Sequence, residues 1–77
     1  MNSEITAEQI EAIQALPNYF ETYQNEGEDR EVMDDGFVHI TRRNTRFAFY
    51  NGQGEISELN SRDMRNIARA IDNILGG

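Results

Sequence analysis

Residues 37–50, FVHITRRNTRFAFY, alternate apolar and polar side chains on both sides of a central Arg43-Asn44. A period of two puts successive side chains on opposite faces of an extended chain, so this stretch predicts an antiparallel hairpin. With Arg43-Asn44 as a two-residue turn, Val38 faces Phe49 and Ile40 faces Phe47 on one side of the ribbon. On the other side Phe37, His39 and Thr41 face Tyr50, Ala48 and Arg46. The first set is wholly apolar and is the expected core face. A slip of one residue would turn every one of these side chains to the wrong side.

The flanks have to cover that apolar face. Thr6 and Gln9 make a capping box, Ile5 and Ile10 stand at staple positions, and Ile10, Ile13 and Leu16 recur at helical spacing. Pro17 either ends this helix or opens a short second one. Residues 18–24, NYFETYQ, fit a helical face through Tyr19, Phe20 and Tyr23, and their aromatic content also fits a strand; the helix is the preferred reading. Residues 25–36, NEGEDREVMDDG, read as an acidic loop. Within it Val32 and Met33 either return to the core or form a short strand before the Asp-Asp-Gly turn. Residues 51–54, NGQG, supply a second turn, and Glu55–Leu59 a third strand. Asn60 or Ser61 then caps a closing helix with Met64, Ile67, Ala68, Ile71, Ile74 and Leu75 on its buried stripe, and Gly76 stands at its end. The expected fold is α+β: an N-terminal helix with an optional short second helix, a three-stranded antiparallel meander, and a C-terminal helix. Residues 1–77 form a single domain.

The chain has 77 residues, no cysteine, one histidine and a formal charge of −7. Disulfides and thiolate metal sites are therefore excluded. No apolar run reaches the roughly 20 residues of a membrane span, and no basic-then-apolar leader begins the chain, so a cytoplasmic location is expected (the host's, if phage-encoded). The charge is uneven: residues 1–36 hold ten acids and one arginine, residues 37–77 four acids and six arginines. Lysine is absent, so every basic group is a planar, multi-donor guanidinium.

Catalytic chemistry finds little to work with. Ser3 belongs to the N-terminus and Ser61 to a cap, and Ser57 would need a favourable third-strand pairing to approach His39. The carboxylates lie where water keeps them ionised. With Gly36 at the sixth position of a calcium loop, Met33 and Arg42 fall where oxygen ligands are required, so the pattern fails. Gly52 and Gly54 open no helix, which excludes a phosphate loop. The terminal Ile-Leu-Gly-Gly is similar to the tail of ubiquitin-like modifiers, but a helix stop accounts for it. The order of hairpin, GEISELN strand and closing helix resembles the ending of a family of single-strand DNA-binding domains, over about half the chain. The acidic first half and missing lysines depart from that family's basic character. No cofactor and no metal are expected.

Binding is the remaining function class. One candidate surface is acidic: Glu4 just before the first helix and Glu8 and Glu11 on it, with Glu26, Glu28, Asp29, Glu31, Asp34 and Asp35 from the loop. Spaced carboxylates of this kind imitate a row of phosphates and select a basic protein, as phage and mobile-element inhibitors do. A second is the non-core hairpin face with Phe37, His39, Arg42, Arg43, Arg46 and Tyr50, residue types that make protein hot spots or stack single-stranded bases. A third is the arc of Arg62, Arg65 and Arg69 on the last helix, where Arg69 stands three residues from Asp72 and is expected to pair with it. The leading expectation is a non-enzymatic, acidic protein-binding module acting on a basic partner. The alternatives are a single-stranded nucleic-acid binder using the hairpin face and a homodimer that hides that face.

Overall fold

The computed structural model of the chain describes residues 4–16, 19–24, 27–34, 36–50 and 59–76. Within them the elements are α1 (Ala7–Gln14), β1 (Tyr19–Gln24), β2 (Arg30–Asp34), β3 (Phe37–Arg42), β4 (Thr45–Tyr50) and α2 (Ser61–Ile74). Both helices begin where their side chains can satisfy free backbone N–H groups. Thr6 Oγ1 accepts from the Gln9 N–H at 3.1 Å, while Gln9 Oε1 accepts from the Thr6 N–H at 2.9 Å. Asn60 and Asp63 make the same reciprocal box for α2, both bonds at 2.9 Å. Gly76, with φ of 99°, takes the left-handed position that follows the helix.

The central hairpin has the register expected from its alternation: Val38 opposite Phe49, His39 opposite Ala48, Ile40 opposite Phe47 and Thr41 opposite Arg46. Arg43 and Asn44 both have positive φ, 52° and 63°. That is the geometry of the turn whose twist matches that of paired strands.

Around this ribbon the sheet differs from a three-stranded meander. Among the described residues it has four antiparallel strands in the order β1-β4-β3-β2. The preferred helix at residues 18–24 is instead strand β1 over its described part, paired from Tyr19 opposite Tyr50 to Gln24 opposite Thr45. The reason is non-local. The open edge of β4 supplies backbone partners for an aromatic-rich segment. Phe20 reaches the core, with its ring 6.0 Å from those of Phe47 and Phe49. Of the acidic stretch, residues 27–29 are a loop crossing among the described residues; Arg30–Asp34 is the short strand, an exposed edge on which Val32 and Met33 are each 38% accessible and do not enter the core. The crossing is tied to the hairpin tip: Asn44 Oδ1 accepts from the Gly27 N–H at 3.4 Å and Asp29 Oδ1 from the Arg43 N–H at 3.3 Å. Residues 51–58, most of the expected third strand, lie outside the described residues.

One side of the sheet is the core. Val38, Ile40, Phe47 and Phe49 are sealed against Ile13 of α1 and Ala68 and Ile71 of α2, with Leu75 just beyond. At about 25 cal/mol per Å2 of apolar surface removed from water, burying such a side chain stabilises the fold by roughly 1.5–3 kcal/mol. No described helix is long and apolar enough to cross a membrane.

Candidate functional site

Because both helices pack on the Val38–Ile40 side, the opposite side of the sheet carries no helix among the described residues. Strand parity sets what it displays. From β1 come Glu21 and Tyr23, from β4 Arg46, Ala48 and Tyr50, from β3 Phe37, His39 and Thr41, and from β2 Arg30, Val32 and Asp34. Ala48 and Thr41, at 5% and 1% accessible, form its floor, while Tyr23, Val32 and Phe37 stand between 37% and 39% accessible.

The aromatic groups on this face contact one another, as rings with a negative face and a positive edge favour. Phe37 lies 5.3 Å from Tyr50 and 6.1 Å, stacked, from His39. The Arg46 guanidinium sits 4.2 Å above the Tyr23 ring, drawn by that ring's negative face. Beside them Arg30, Val32, Asp34, His39, Thr41 and Arg46 line an open cleft of about 330 Å3. Burial, and then the charge of Arg46, hold the His39 imidazole below its ordinary value of 6.5, with Asp34 opposing both. His39 Nδ1 and Arg46 Nε are shut off from solvent without a hydrogen-bond partner. Native proteins leave few such atoms, and these two lie beneath the cleft's surface, where an incoming group reaches them only if the side chains around them move. Thr41 is too deeply set to act as a nucleophile, and among the described residues no three His, Asp or Glu side chains converge as metal ligands.

Of the hairpin-face residues expected to act together, Phe37, His39, Arg46 and Tyr50 do share this surface. Arg42 and Arg43 do not. Arg42 has the parity of Val38 and Ile40, so it points to the helix side, where its Nε donates to Asp72 Oδ1 at 2.7 Å and its Nη2 meets Glu31 Oε2 at 2.7 Å. These contacts raise its pKa further, the Asp72 bond most, although burial opposes them. Asp72 thus pairs with Arg42, and not with Arg69 as the helical spacing suggests. Arg43 Nη2 donates to the Leu75 carbonyl at 2.9 Å, placing a cation at the negative C-terminal end of α2. Both arginines hold the fold together.

The acidic residues do not gather into one surface either. Glu4, Glu8 and Glu11 are exposed at α1, Glu28 and Asp29 lie in the crossing, Glu31 pairs with Arg42 on the helix side, and Asp34 is on the open side. Glu26 and Asp35 lie outside the described residues. Sequence reasoning missed Tyr23, Arg30 and Val32 on the open face. Their signal was the alternation of Tyr19, Glu21 and Tyr23 with Phe20 and Thr22, and of Arg30, Val32 and Asp34 with Glu31 and Met33, both too short to outweigh the helical and loop readings.

Comparison of the chain with protein-family models, with curated proteins and with solved structures finds no match.

Proposed function

We propose that this chain is a non-enzymatic protein-binding module whose contact surface is the open face of its sheet, and that its partner is a protein of net positive charge. The observation that supports this most is the exposure of Phe37, Tyr23 and Val32 on a sheet face with an open cleft beside them. Aromatic and arginine side chains over a desolvated floor are what hot spots are made of. Charge separates the partner classes. Arg30 and Arg46 are matched on this face by Glu21 and Asp34, so no uniformly positive track follows a phosphate backbone. The whole molecule, at −7, repels one. The same field steers a basic protein toward the face, with the exposed Glu8 and Glu11 contributing.

The test is capture of the partner from cells that express the protein, followed by titration of the isolated pair. Phe37→Ala should weaken binding by about a hundred-fold or more through faster dissociation, whereas Glu8→Gln with Glu11→Gln should mainly slow association and flatten its salt dependence. Micromolar binding of a fluorescent single strand, lost on Arg46→Glu, would overturn the reading in favour of nucleic acid.

A further inference from the structure

Among the described residues β2, Arg-Glu-Val-Met-Asp, is an edge strand exposed along its whole length, and Arg30 and Asp34, opposite in charge, stand two residues to either side of Val32. We propose that a second copy of this chain pairs with it, β2 against β2, antiparallel and centred on Val32.

The free edge's hydrogen-bonding pattern follows from the hairpin turn. The positive φ at Arg43 and Asn44 makes Arg42 and Thr45 the closing, hydrogen-bonded pair. Such pairs alternate along an antiparallel ladder, so Arg42, Ile40 and Val38 bond toward β4. Phe37, His39 and Thr41 then bond toward their β2 partners Asp34, Val32 and Arg30. Glu31 and Met33 are left with their N–H and C=O groups directed outward from the sheet.

Pairing about Val32 sets Glu31 opposite Met33 of the second copy, and the reverse, so that every outward group finds a partner. It also sets Arg30 opposite Asp34 of the second copy, and brings the two Val32 side chains together in the close, non-hydrogen-bonded position. The registers two residues away are worse. Centring on Glu31 opposes glutamate with glutamate, and centring on Met33 opposes Asp34 with Val32. Charges on an edge strand commonly discourage pairing; here their order selects one register. Val32 and Met33, each 38% accessible on opposite sides of the strand, both gain cover. The two four-stranded sheets become one continuous sheet of eight.

The seam borders the proposed binding face and shares Arg30, Val32 and Asp34 with it, but Phe37 lies on β3, one strand in from the edge, so Phe37→Ala should leave the pairing unchanged. Sedimentation velocity from about 10 μM to about 1 mM should show a monomer–dimer equilibrium. Arg30→Asp and Asp34→Arg should each weaken it roughly ten-fold, since each places like charges opposite one another twice, and the double variant should restore it. Circular dichroism verifies that all three are folded. Amide exchange gives a second readout: Glu31 and Met33 should become protected as concentration rises, with no change at Val32. A strict monomer throughout would overturn the proposal, as would a dimer indifferent to both single changes or a double variant no better than the singles. Protection of Glu31 and Met33 only when a foreign protein is added would assign the edge to that protein and overturn it as well.

Discussion

The two sides of the β3–β4 ribbon draw on the same kinds of residue and put them to different use. Each has two large aromatic rings from the ribbon and one arginine, but on the helix side Phe47 and Phe49 are sealed and Arg42 is held by two carboxylates. On the open side Phe37 is more than a third accessible, and Arg46 rests over Tyr23 with its Nε unsatisfied. The contrast shows that residue type does not assign a role in this domain. An aromatic–arginine set stabilises the fold where neighbours close over it and satisfy its polar atoms. Where they do not, it remains available to a partner.

Paired substitutions can break this comparison. The largest effect is expected from Phe47→Ala, which empties a fully buried site and should cost about 3–5 kcal/mol. For a chain of this size that is a large share of a total of about 4–12 kcal/mol. Urea unfolding measures it, and a loss below about 1 kcal/mol would contradict the assignment of that side as the core. Arg42→Ala comes next, at about 1–2 kcal/mol. Asp72 and Glu31 then lose their shared cation, but they are 48% and 38% exposed and can rehydrate. Phe37→Ala should change stability by less than about 1 kcal/mol, although it is the change expected to harm binding most.

The smallest effect concerns pH. The folded state holds His39 below 6.5, so the unfolded chain binds that proton more tightly. The resulting contribution is fully present above 6.5 and is lost as pH falls below it toward the depressed folded value. His39→Gln should therefore flatten the stability slope in that window, read from urea midpoints at about pH 5 and about pH 7.5. An unchanged slope would mean that the imidazole is as solvated as any surface histidine.

What the sequence made legible was local. The capping boxes follow from side chains three residues apart, and the hairpin register follows from a two-residue turn between alternating strands. Arg42 was legible in principle, because it shares the parity of Val38 and Ile40. Its position beside the turn suggested solvent, and only Asp72, thirty residues further along, explains why a charge could be turned inward. The candidate face was half legible for a similar reason. Phe37, His39, Arg46 and Tyr50 lie on the hairpin itself, whereas Tyr23, Arg30 and Val32 join them through strands that short windows do not reveal.

The sequence by itself determined where the ribbon forms, which of its sides is apolar and where the helices begin, since each depends on contacts within a few residues. Tertiary structure alone decided that residues 19–24 extend the sheet, that β2 is its exposed edge, and that the acidic residues are divided among several surfaces. The physical reason is that a short amphipathic segment is stable as helix or strand according to which backbone groups and apolar surface it meets. Here those belong to β4 and β3, remote from it in the chain.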